Sequence, residues 1–98
     1  MITKDIILNY LKQYKQKHLD DYGIKNIGIF GSIAREENTK NSDIDIVVEF
    51  SKPNLFVQAG IMEDLKEKFK VDVDVIALTN NTNPKLLKRI KKEVIYVW

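Results

Sequence analysis

Ile29-Phe30-Gly31-Ser32-Ile33-Ala34-Arg35 and, after a short polar loop, Ser42-Asp43-Ile44-Asp45-Ile46-Val47-Val48 carry most of the structural information in this chain. Asn26 to Phe30 is a short apolar run and reads as a buried strand. Gly31-Ser32 ends it, and Ile33 to Glu37 is long enough for one or two helical turns starting at Ser32. Asn38-Thr39-Lys40-Asn41 is a loop. Residues 43–50 then alternate, so a strand is expected with Ile44, Ile46, Val48 and Phe50 on one face and Asp43, Asp45, Val47 and Glu49 on the other.

Outward from this centre, helix and strand signals take turns. Ile6, Ile7, Tyr10, Leu11, Tyr14 and Leu19 recur at three- and four-residue spacing, which predicts an amphipathic helix from Thr3, a suitable N-cap, to about Leu19. Beyond the break at Ser51-Lys52-Pro53-Asn54, Leu55 to Phe69 is again helical in spacing. Residues 71–76 form a second alternating strand, with valines on one face and Asp72, Asp74 and Ile76 on the other. Asn83-Pro84 caps and opens a helix reaching about Lys92, and residues 94–98 make a last short strand. Three or four strands with helices against one face give a small α/β sandwich of two layers.

With 98 residues, 44% hydrophobic and 31% charged, the chain is read as one globular domain, residues 1–98, and not as a disordered or collagen-like sequence. It has no cysteine, which removes thiol catalysis and Cys-based zinc sites and fits a reducing compartment. The N-terminal MITKDIILNYLKQYKQK carries charges within its apolar stretch and lacks a cleavage signal, and no uncharged run approaches the ~20 residues of a membrane span, so a cytoplasmic protein is expected. Sixteen basic residues against fourteen acidic ones give no reason to expect direct nucleic-acid binding. A chain of this size can hold one substrate and do chemistry at a rim, but lacks the walls for a second, bulky one.

The aspartates and the Gly-Ser turn supply that chemistry. Alternation places Asp43 and Asp45 on one face of their strand, about 7 Å apart. Carboxylates held so close repel, which suits a shared proton or a cation, and hard oxygen ligands suit Mg²⁺ or Mn²⁺. Gly31 lets the backbone approach a ligand, and Ser32 presents a hydroxyl beside free N–H groups, a setting for phosphate oxygens. Metal and phosphate together describe nucleotidyl or phosphoryl transfer, where a third carboxylate completes the metal site or accepts a proton. Singly, such aspartates are ordinarily solvated and such a turn is ordinarily only a turn. Their joint spacing carries the reading.

Gly31-Ser32, ten residues, then Asp43-Ile44-Asp45 resembles the motif of the DNA polymerase β-like nucleotidyltransferase superfamily. With its flanking hydrophobic residues and its length, nearly the whole chain is similar to the minimal nucleotidyltransferases, the MNT proteins that act as antitoxins beside HEPN-domain toxins. The resemblance implies the small two-layer nucleotidyltransferase fold with a mixed sheet. It implies that Gly31 and Ser32 bind the triphosphate of ATP, and that Asp43 and Asp45 hold two Mg²⁺ ions, with Mn²⁺ as a substitute. A third aspartate on the strand at 71–76 would complete the metal site and activate the acceptor hydroxyl; Asp74 is chosen because Val73-Asp74-Val75-Ile76 fits the family pattern better, with Asp72 as the alternative. It further implies transfer of AMP to a tyrosine of a cognate HEPN ribonuclease toxin, in a hetero-oligomer with that partner.

One departure stands out: the family often has glycine where this chain has Glu36, which bears on how the short helix ends. Arg35 is read either as a phosphate ligand or as an ion-pair partner of Glu36 or Glu37. His18 is expected at the surface or rim, the basic residues of the last helix as solvated charge, and Tyr96 and Trp98 as either a cap on the core or a subunit contact. Two other functions fit the same residues. One is an antitoxin that neutralises its toxin by binding alone. The other is a transferase acting on a small molecule, which the missing second domain disfavours.

Overall fold

Thr3 does cap the first helix: its hydroxyl accepts the Ile6 N–H at 3.3 Å. The computed structural model describes residues 2–97, so the expectation for Trp98 lies outside the described residues. The elements follow the predicted order: α1 (Lys4–Lys17), β1 (Ile24–Phe30), α2 (Gly31–Ala34), β2 (Ile44–Phe50), α3 (Leu55–Phe69), β3 (Val73–Ala77), α4 (Pro84–Glu93) and β4 (Ile95–Tyr96). The other long helices start as their sequences dictate. Asn54 accepts the N–H groups of Phe56 and Val57, and Asn83 those of Lys85 and Leu86, with Pro84 in the first turn. Leu19 falls beyond the end of α1 and is half exposed.

The sheet is mixed and four-stranded, in the order β3-β2-β1-β4. β1 is antiparallel to both β2 and β4, while β2 and β3 run parallel, joined by α3 as a crossover. Gly28 is required where β4 closes on β1, since a Cβ there would strike the backbone of Ile95 and Tyr96.

The predicted alternation of β2 holds. Ile44, Ile46, Val48 and Phe50 join Ile7, Leu11 and Tyr14 of α1, Ile61 and Leu65 of α3, and Ile27 and Ile29 of β1 in the main core. Each fully buried isoleucine or leucine contributes roughly 1.5–3 kcal/mol through removal of apolar surface from water. The small mixed-sheet fold is as expected, but the helices do not all lie on one face: the opposite face carries a smaller cluster, in which Ile90 of α4 packs with Phe30 and Val47. It is this second face that holds the aspartates. No helix among the described residues is long and apolar enough to cross a membrane.

Candidate active site

Strand pairing alone gathers the predicted residues at one end of the sheet. Phe30, the last residue of β1, is the antiparallel partner of Asp45, and Asp74 of β3 is the parallel partner of Asp45. Partners in register point to the same side of a sheet, so the two carboxylates stand side by side while the Gly31-Ser32 turn leaves β1 beside them. Asp43 lies immediately before β2, on the same face as Asp45 by alternation.

Gly31 has φ +76°, the left-handed region that side chains seldom tolerate, and a Cβ built on it would fall onto the Asp45 carboxylate. Glycine is therefore demanded twice here, by backbone conformation and by contact. Ser32 follows within α2, half exposed.

The Asp45 carboxyl is partly buried, and its pKa lies above the ordinary carboxylate range. Burial is the main cause, and the neighbouring charge of Asp74 is the next. Asp43 adds to the rise, while Arg89 and Arg35 oppose it. Asp43 and Asp74 are exposed. The donor set is thus three carboxylates, two of them exposed, which matches the hard oxygen ligands of a divalent cation. Among the described residues no group of three or more His, Cys, Asp or Glu side chains is already placed to hold a metal ion, so the three carboxylates would have to draw together around one.

Asp72 has other engagements. Pairing of the parallel strands begins at Ile44 with Val73, two residues later than the sequence suggested for the strand, so Asp72 sits outside β3. Its carbonyl accepts the Ile44 N–H at 3.0 Å, and its exposed carboxylate lies 3.8 Å from Lys66 Nζ. The neighbour of Asp45 is Asp74.

Glu36 adopts φ 59°, the conformation for which glycine is the usual choice, so the short helix ends as it would with glycine. Its carboxylate pairs with Lys4 at 3.0 Å. Arg35 instead meets Glu37 at 3.0 Å and Glu93. His18 closes α1, half buried, with Nδ1 3.1 Å from Asp21 and its ring stacked on Tyr22. Tyr96 is exposed, its hydroxyl 3.4 Å from Glu49.

Sequence reasoning passed over Glu93 and read Arg89 only as part of the solvated charge of the last helix. Glu93 accepts the Gly31 N–H at 3.1 Å and the Arg35 guanidinium, and Arg89 Nε reaches its other oxygen at 3.3 Å. The Arg89–Glu93 pair has helical i,i+4 spacing and was legible in the sequence, but the link to Gly31 spans 62 positions and was not.

Comparison with known proteins agrees with this arrangement. Residues 7–98 match the family model described as polymerase beta, nucleotidyltransferase. A candidate protein adenylyltransferase of Methanocaldococcus jannaschii is 37% identical over 100 residues, covering 99% of this chain and all of that protein. The protein adenylyltransferase MntA of Thermococcus cleftensis is 31% identical over 98 residues, covering 99% of this chain and 98% of its own. In fold, the chain is similar to one from the complex of tri-AMPylated Shewanella oneidensis HEPN toxin with MNT antitoxin, with a TM-score of 0.72 at 18% identity, covering 98% of this chain and 72% of that one. Carboxylates gathered beside a glycine turn, on a sheet of this topology and with relatives matched along their whole length, lead to one conclusion: this chain belongs to the polymerase β nucleotidyltransferase family.

Proposed function

We propose that this nucleotidyltransferase moves AMP from ATP to a tyrosine hydroxyl of a cognate HEPN-domain toxin, and that this modification is how it acts as an antitoxin. The observation that carries the reading is the pairing of Asp45 with Asp74 beside the Gly31 turn. The names of its full-length relatives support adenylyl transfer, and the Shewanella oneidensis complex supports the HEPN acceptor. A cysteine-free chain using ATP is compatible with a cytoplasmic setting.

Asp43, Asp45 and Asp74 would hold two Mg²⁺ ions, with Mn²⁺ as substitute, and bound metal supplies charge neutralisation at the triphosphate. Gly31 and Ser32 contact the phosphates through backbone N–H and hydroxyl. Asp74, exposed at the rim, accepts the proton of the acceptor hydroxyl as the new O–P bond forms at the α-phosphorus and the α–β bond breaks, releasing pyrophosphate. The rest of the acceptor site comes from the toxin, since Asp43 and Asp74 stand exposed at an open rim.

The test is incubation of the purified protein and its cognate toxin with α-labelled ATP and Mg²⁺. Label is expected on a toxin tyrosine and is expected to vanish with EDTA. No label on a toxin shown to be an active ribonuclease would overturn the reading.

A further inference from the structure

The transfer chemistry leaves one carboxylate without a task, and three donors converge on it. Glu93, at the end of α4, accepts the Gly31 N–H, the Arg35 guanidinium and, on its second oxygen, Arg89 Nε. Its side chain is 15% exposed, against 39% for Arg35 and 54% for Arg89, so the arginines cover it. A glycine-turn N–H flanked by two guanidinium groups is the donor set that a phosphate recruits. Both arginines also act on Asp45, which puts their charge at the carboxylates where the nucleotide would react. The single Gly31 N–H cannot serve a phosphate and the Glu93 carboxylate at once, and an anion drawn to the same guanidinium groups is repelled by that carboxylate.

We propose that Glu93 is a built-in competitor of the nucleotide. Its carboxylate occupies the Gly31 N–H, Arg35 and Arg89 that the triphosphate takes over, and it must rotate away before nucleotide can bind. The inference rests on the nucleotidyl-transfer reading for the identity of the incoming anion. The closed arrangement lowers apparent affinity by the fraction of molecules that are open. Removing the carboxylate therefore tightens phosphate binding, whereas a carboxylate that merely braced the turn would weaken binding when removed.

Calorimetric titration with inorganic tripolyphosphate in excess Mg²⁺ distinguishes the two roles. Glu93→Gln is expected to bind about tenfold more tightly than the wild type, the size of one charge-assisted contact. A second measurement needs no variant. Carbon-13 NMR of the wild-type side-chain carboxyls is expected to show Glu93, held low by its arginines, returning to the ordinary glutamate range when tripolyphosphate saturates the protein. AMP transfer by the wild type is scored separately. Transfer without tighter binding by the variant removes the competitor alone, and tighter binding without transfer removes only the transfer reading. Unchanged or weaker binding by a folded Glu93→Gln, or a Glu93 carboxyl that stays low in the complex, would overturn the inference.

Discussion

Gly31 lies against Asp45 so closely that one added methyl group would land on the carboxylate. The same residue holds φ +76°, so alanine at this position is strained by conformation as well as by contact. Gly31→Ala is expected to destabilise the fold by about 2–3 kcal/mol, combining a left-handed penalty of about 1–2 kcal/mol with displacement of Asp45. Transfer should fall at least about a hundredfold, because small misplacements of reacting groups have effects of that size. Thermal melting together with single-turnover transfer checks both.

Asp45 and Asp74 share a rung of the parallel ladder, and the charge on Asp74 helps keep the partly buried Asp45 carboxyl above its ordinary range. Ionised Asp45 therefore opposes folding at neutral pH without metal. In EDTA, Asp45→Asn is expected to melt at or above the wild-type temperature. With ATP and Mg²⁺ the wild type should be stabilised and the variant should not. A variant that melts well below wild type in EDTA would contradict this account of the carboxyl.

Glu93 shows the opposite sign. Burial raises its pKa, but Arg35 and then Arg89 outweigh that effect, and the carboxyl titrates below the ordinary glutamate range. A group lowered in the folded state stabilises above its unfolded pKa, and that contribution is lost as pH falls through the folded value. The melting difference between wild type and Glu93→Gln should thus be steady near pH 7 and shrink as pH drops below about 4.3. Melting curves from pH 7 to 3 measure it, and added salt should narrow the difference at pH 7 because the arginines are partly exposed.

Glu36 sits at φ 59° where glycine meets no penalty. Glu36→Gly is expected to raise stability by up to about 1 kcal/mol, since relief of the left-handed conformation exceeds the added flexibility of the unfolded chain. The exposed Lys4–Glu36 pair lost in the exchange returns little. A melting temperature several degrees higher, with transfer unchanged, is the expected outcome.

The row of aspartates was legible because a strand has a period of two: Asp43 and Asp45 had to share a face opposite Ile44 and Ile46, and Asp74 had to oppose Val73 and Val75. Periodicity cannot tell which strands pair, or in which direction. It was the ladder running Ile44 to Val73 and Asp45 to Asp74 that left Asp72 outside the strand, beside Lys66. Ile24 and Lys25 were left out of β1 because charged Lys25 interrupts the apolar run, although Ile24 pairs with Phe50 across an irregularity in the ladder. The last helix was read for its lysines and arginines, so Ile90, which covers the second face of the sheet, drew no attention. Glu93 was beyond reach for another reason: its partner Gly31 lies 62 positions earlier, and only the folded sheet brings them together.

Adenylyl transfer by the Asp45–Asp74 pair is tested most directly by measuring label from α-labelled ATP on the cognate HEPN toxin, comparing the wild type with Asp45→Asn, Asp74→Asn and Asp72→Asn. Loss of about a hundredfold or more is expected for the first two variants, and near wild-type transfer for the third. Full transfer by a folded Asp74→Asn, or its loss in Asp72→Asn alone, would contradict the assignment.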